Sequence, residues 1–141
     1  MNTASTQEIV RNLPVLFGAS FLAILFIQSG LDKVFDWSGN LGWLKGHFEK
    51  TFVAGMVPIM LATITVGELA TGFLSAAGVI YFFAVGSTLI IFWASVTGAL
   101  TFSALFFGQR LAKDYPGAAV LVPYFLLTLA VMWLSSAPAR P

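Results

Sequence analysis

The stretch 61–80, LATITVGELATGFLSAAGVI, is the part of the sequence that decides the fold. As a helix it is long enough to cross a bilayer, and it contains one charged side chain, Glu68. Between Lys50 and Arg110 the sequence has no other charged residue. A carboxylate in hydrocarbon is energetically costly. It is therefore expected to face the interior of a helix bundle and to mark a functional position.

The whole chain has the composition of an integral membrane protein. Of its 141 residues, 58% are hydrophobic and 9% are charged, whereas an ordinary soluble domain has about 25% charged residues. The apolar runs predict one transmembrane domain over residues 1–141, with four spans at about 13–33, 56–80, 84–107 and 118–134. The predicted fold is an all-α four-helix bundle, and its first predicted partner is the lipid bilayer.

Two connections carry structural predictions. The long segment 36–52 is either a short helix in the membrane interface or an irregular, partly inserted loop. Its large apolar residues recur at helical spacing and are expected to face lipid, whereas three glycines favour the loop. These apolar residues are Trp37, Leu41, Leu44 and Phe48. The uncharged segment 78–86 has a glycine at each end and is predicted to form a tight turn between the second and third spans.

The composition also excludes several kinds of site. With no cysteine, the chain forms no disulfide, thiolate metal site, iron–sulfur cluster or covalently attached c-type haem. The one histidine, His47, is expected in a solvated loop, and a single histidine is not a metal site. A net charge of +1 offers no basic surface for a nucleic acid. We therefore expect no metal and no covalent cofactor, and any electrons would travel on a group that the chain does not covalently hold.

Around Glu68 the helical face is small or hydroxylated. Small residues let neighbouring helices approach and hydroxyls bond between helices, so this face is expected to point inward. The predicted helix-packing residues are Gly30, Thr71, Gly72, Ser75 and Gly78.

Counting along the helices places Glu68 near the middle of the bilayer, level with Thr97 and Thr128. These hydroxyls are its expected partners. Lys33, at the end of the first span, is expected to lie nearly half a membrane away. Together with Gln28 it forms either a snorkelling helix end or a polar mouth for protons or a quinone head. These five residues are the predicted ligand or proton site. The alternative is a protonated Glu68 that only fixes helix packing.

Two motifs in the first two spans resemble those of the DoxX family of small membrane proteins. The first is Phe26-x-x-Ser-Gly30-x-x-Lys33, and the second is Glu68-x-x-x-Gly72 followed by Gly78. The correspondence runs from about Phe17 through Gly78. The motif is a family signature rather than an established catalytic set.

The resemblance implies a four-helix protein of the bacterial inner membrane. Some members of that family are associated with respiratory or sulfur redox chemistry, including thiosulfate oxidation with quinone as acceptor. The leading hypothesis is therefore a small subunit that contacts quinone or supplies a protonatable group. The alternative is a non-catalytic packing or assembly subunit of a larger membrane complex. Besides the bilayer, the expected partners are other membrane subunits or further copies of this chain in a homo-oligomer. A small transporter is less favoured, because no internal repeat is visible.

Overall fold

In the computed structural model, which describes residues 4–136, the chain folds into four long helices and one short helix. The helices are α1 (Thr6–Phe35), α2 (Trp37–Phe48), α3 (Val57–Val85), α4 (Leu89–Leu111) and α5 (Tyr115–Ser136), with one turn of 3₁₀ helix at Ala54–Met56 before α3. The four long helices are apolar and long enough to cross a bilayer. The predicted all-α bundle is confirmed, and the chain is a multi-pass membrane protein.

Helix α1 begins at Thr6, earlier than the predicted span, because a capping box starts it. The Ser5 hydroxyl accepts a hydrogen bond from the backbone N–H of Glu8 at 3.3 Å, and the Glu8 carboxylate accepts one from the N–H of Ser5 at 2.7 Å. These two bonds satisfy donors that the first helical turn leaves without partners. The polar start of the chain is thus continuous with the first apolar helix.

The predicted turn over 78–86 is wrong. Helix α3 continues through Val85 and ends at Gly86, whose φ of 77° is the left-handed conformation common at helix ends. Gly78 lies inside the helix and faces α4, where a methyl group would come within 2.9 Å of the backbone nitrogen of Ile91. Its role is the close approach of two helices and not a change of chain direction.

Helices α1 and α3 run antiparallel in close contact. Gly30 of α1 lies against Leu69, and Gly72 of α3 lies against Ile27, so residue numbers rise along one helix as they fall along the other. By this register Phe35, the last residue of α1, is level with Ile64. The first seven residues of α3 therefore extend about 10 Å beyond the end of α1.

Helix α2 covers that projecting part of α3. Phe48 is buried in a small apolar core with Val53 and Val57, and Leu41 and Leu44 pack against it. The expectation that this face points to lipid is wrong for Leu41, Leu44 and Phe48, whereas Trp37 is exposed. The helical alternative for the segment is correct, and its apolar face points into the bundle because α1 ends too early to cover the start of α3.

Candidate functional site

A buried ion pair joins α1 to α3. The Nζ atom of Lys33 lies 2.9 Å from Oε2 and 3.2 Å from Oε1 of Glu68. The Glu68 side chain is 3% exposed and that of Lys33 is 18% exposed. The one charge of the central apolar stretch therefore has an opposite charge beside it, which offsets part of its desolvation cost.

Ser29 completes the cluster. Its hydroxyl donates to Oε1 of Glu68 at 3.0 Å, while Nζ of Lys33 donates to the same hydroxyl at 3.0 Å and to the Ser29 carbonyl at 3.3 Å. Oε2 of Glu68 is close to Nζ, but within the described residues no donor meets it at hydrogen-bonding angles. This oxygen is therefore held by charge and proximity, and it retains capacity to accept a proton or a hydrogen bond.

Local sequence explains why these three side chains meet. Ser29 and Lys33 are four residues apart, so they occupy one face of α1. Two glycines let α3 approach that face. At Gly72 a methyl group would lie 2.7 Å from the backbone nitrogen of Ile27, and at Gly30 it would lie 2.6 Å from a side-chain carbon of Leu69. With the backbones this close, the short serine side chain reaches the carboxylate.

The predicted separation of Lys33 from Glu68 is therefore wrong. It assumed that the two helix ends lie at the same membrane depth. In the structure α3 begins beyond the end of α1, which places Glu68 closer to the end of α1 than its position in α3 suggests. The Lys33 side chain also extends back by one turn to reach Ser29.

The two predicted threonine partners of Glu68 bond elsewhere. Thr97 accepts a hydrogen bond from the Thr71 hydroxyl at 3.2 Å, and the Thr128 hydroxyl donates to the carbonyl of Tyr124 at 2.8 Å. The expectation that these hydroxyls bind Glu68 is wrong. They form a separate polar layer one turn along α3.

Helix register accounts for this shift of one turn. Gly67 packs against Thr101, so Glu68 lies level with Thr101 rather than with Thr97. Gly98 lies against the methyl groups of Thr71 and Thr128. The layer is a site of close helix packing among α3, α4 and α5.

The other predicted residues divide between the bundle and its surface. Thr71 and Ser75 are fully buried, and Gly30, Gly72 and Gly78 lie at helix contacts. Gln28 is exposed and lines a shallow outer groove of α1 with Asp32 and Phe35. The structure therefore brings Lys33 and Glu68 together and leaves Gln28 on a different face.

A cavity of about 240 Å³ lies beside Lys33, between α2 and the adjoining parts of α3 and α4. Lys33 of α1 lines it together with five residues of α2: Asn40, Trp43, Leu44, His47 and Phe48. The remaining walls are Val57, Met60, Leu61 and Ile64 of α3 and Ala104, Leu105, Gly108 and Gln109 of α4. Most of these side chains are apolar. Sequence reasoning did not predict this cavity, because it depends on α2 folding over the end of α3.

His47 is part of this structure rather than a solvated loop residue. Its Nε2 lies 2.8 Å from Oε1 of Gln109 and 3.9 Å from Oδ2 of Asp114. Its ring stacks on Trp43 with 4.5 Å between centroids. These contacts join α2 to the end of α4. In residues 4–136 no three His, Cys, Asp or Glu side chains are grouped to hold a metal ion.

The arrangement combines a cation at a mainly apolar cavity with a deeply buried carboxylate behind it. Lys33 can donate hydrogen bonds to a polar group in the cavity, and Glu68 can balance its charge or exchange a proton through Ser29.

Neither family models nor curated proteins nor solved structures match this chain.

Proposed function

We propose that this chain is a DoxX-like protein of the bacterial inner membrane that binds the polar head of a quinone at the Lys33–Glu68 pair. In this proposal it is a small subunit of a respiratory or sulfur redox system. One observation carries the proposal: Lys33 lines the cavity and also pairs with the buried carboxylate. An intramembrane ionisable group with a defined partner marks a functional site by default.

The cavity suits the head of such a ligand. Its volume of about 240 Å³ is below the roughly 300–1,000 Å³ of sites that enclose a whole drug-sized molecule. A single ring would fit in the cavity, with its apolar tail in the surrounding lipid. Mostly apolar walls with a few polar side chains, one of them a cation, are also typical of sites that orient a ligand by few polar contacts.

A ligand would have to replace one of the oxygen atoms that already surround the Lys33 ammonium. This ammonium has three N–H groups, and four oxygen atoms of Ser29 and Glu68 lie within 3.3 Å of it. The longest of these contacts, to the Ser29 carbonyl, is the one that a ligand carbonyl would replace. Lys33 would then orient the ring, and Glu68 would keep the site neutral overall and exchange a proton through the Ser29 hydroxyl. A bound quinone supplies the electron-accepting chemistry.

Binding of decyl-1,4-benzoquinone to the purified protein tests this proposal. Lys33→Met should weaken binding at least about tenfold, the equivalent of one charge-assisted hydrogen bond. Lys45→Met, at an exposed position of α2, is the matched control and should bind as the wild type does. If the wild type does not bind this quinone, or if both variants bind equally well, the quinone site is refuted.

Activity in the host provides a second arm. Glu68→Gln should lower the quinone-linked respiratory or sulfur-oxidation activity of the host, because it removes the proton-exchanging carboxylate. The exposed Glu49→Gln is the control. Unchanged activity with Glu68→Gln at normal protein levels would argue against a proton role.

A non-catalytic assembly subunit is the second candidate, and the same cluster favours it for a different reason. Glu68 already has Lys33 and Ser29 as partners, so the ion pair can act simply to hold α1 against α3. An assembly subunit should co-purify with other membrane subunits under mild detergent. A chain that purifies alone, remains stable and binds quinone would count against this candidate.

A further inference from the structure

Three polar side chains besides Lys33 line the cavity: Asn40 and His47 of α2 and Gln109 of α4. Gln109 lies near the end of α4. From the contact of Gly67 with Thr101, the antiparallel register places Gln109 level with Ile59. From the contact of Gly30 with Leu69, Lys33 is level with Val66, seven residues further along α3, which corresponds to about 10 Å along the helix axis. The two ends of the cavity therefore both carry polar groups.

On α3 and α4 the wall between these ends is apolar. Leu61, Ile64 and Leu105 line it. A six-membered ring with two opposite carbonyl oxygens, each accepting one hydrogen bond, spans about 11 Å from donor to donor. This is close to the separation of the two polar ends, and side-chain reach covers the difference. A ring with a single oxygen would leave one end without a polar partner.

The amide of Gln109 is held in a defined orientation. Its Oε1 atom accepts from Nε2 of His47 at 2.8 Å, so the Nε2–H₂ group of the amide is left as the free donor. Among the described residues no acceptor bonds to that group. Stacking on Trp43 holds the His47 ring. His47 thus fixes the orientation of the Gln109 amide that faces the ligand.

We infer that Gln109 is the second ligand-contacting residue of this cavity and that His47 is its positioning residue. The site would then select rings with two oxygens on opposite sides, as in a 1,4-quinone, over rings with one. This inference rests on the proposed function, since it concerns the same cavity. It adds a selectivity that Lys33 and Glu68 do not supply alone.

Two ligands and three variants test it. The probes are decyl-1,4-benzoquinone and a decyl-substituted cyclohex-2-enone, which keeps one carbonyl on a six-membered ring. The wild type should bind the quinone at least about tenfold more tightly than the enone, the equivalent of one hydrogen bond. Gln109→Met, which keeps the side-chain length but has no donor, should abolish this preference while enone binding stays unchanged.

A second variant guards against misfolding. Gln109→Glu keeps an oxygen for His47 but also lacks the amide donor, and it should lose the same preference. His47→Phe keeps a ring to stack on Trp43 and frees Gln109, so it should reduce the preference in part. If the wild type binds neither probe, the proposed function fails as well. If it binds the quinone and both Gln109 variants keep the preference, this inference alone is refuted.

Discussion

Lys33 and Glu68 lie 35 residues apart in sequence, yet their charged atoms are 2.9 Å apart between α1 and α3. Both groups lose most of their contact with solvent in this position. A buried pair of this kind adds little net stability over a well-packed apolar pair, but removal of one partner leaves an uncompensated charge. The pair therefore specifies how α1 and α3 fit together, and it places a cation at the cavity.

Ser29→Ala should destabilise the protein by about 1.5–3 kcal/mol, because it removes a hydrogen bond to a charged carboxylate. The matched control is Ser103→Ala on α4, an exposed serine whose hydroxyl bonds only within its own helix to Ala99. Unfolding free energies of both variants in mixed micelles provide the measurement. Equal effects at the two positions would contradict a supporting role for Ser29.

Gly72→Ala should destabilise by about 1–3 kcal/mol, since the added methyl group would press on the backbone of Ile27 and force the helices apart. Gly42→Ala is the control, because open space surrounds Gly42 in α2. There alanine should stabilise by about 0.5–1 kcal/mol through helix propensity. The two substitutions should change the free energy of unfolding in opposite directions. A stabilising Gly72→Ala would refute the close contact of α1 with α3.

Much of the fold follows from sequence because apolar length sets the number of spans. Sequence also indicates α2 as one of two alternatives, through the helical spacing of Trp37, Leu41, Leu44 and Phe48, and the helical alternative is correct. The direction of its apolar face does not follow from spacing, since periodicity shows that a face exists and not which neighbour covers it. That depends on where α1 ends relative to the start of α3.

The candidate site can be predicted from the sequence only in part, for the same reason. Glu68 stands out as the isolated charge, and its small, hydroxylated face is correctly expected to be buried. Its partner Lys33 is not predicted, because counting residues from the helix ends assumes that every span starts at the same membrane depth. Gln109 and His47 meet through α2, and neither has a sequence signal beyond being polar near a helix end.

Phe48→Ala should cost about 3–5 kcal/mol, because the ring is buried between α2 and α3 and its loss would leave a cavity. Phe52→Ala, at a position that is 83% exposed, should have a small effect. Thermal or denaturant unfolding in the same detergent measures the loss of stability in each of the two variants. A small loss for Phe48→Ala would mean that α2 faces lipid instead of the bundle.

Gly86→Ala should destabilise by about 1–2 kcal/mol, since the φ of 77° at the end of α3 is unfavourable for any residue with a Cβ atom. Gly86→Asn should cost less, because asparagine tolerates this conformation better. The free energies of unfolding of the two variants show which substitution destabilises the protein more. If alanine were as well tolerated as glycine, the helix would end elsewhere.

The most direct test of the central claim is a double-mutant cycle of Lys33→Met and Glu68→Gln, measured as unfolding free energy in mixed micelles. Each single variant should lose about 3–5 kcal/mol, and the double variant should lose less than the sum by about 2 kcal/mol. The exposed pair Lys45→Met and Glu49→Gln at the end of α2, four residues apart, should show a coupling of about 0.5 kcal/mol or less. Additive losses at Lys33 and Glu68, within about 0.5 kcal/mol, would contradict a buried ion pair between α1 and α3.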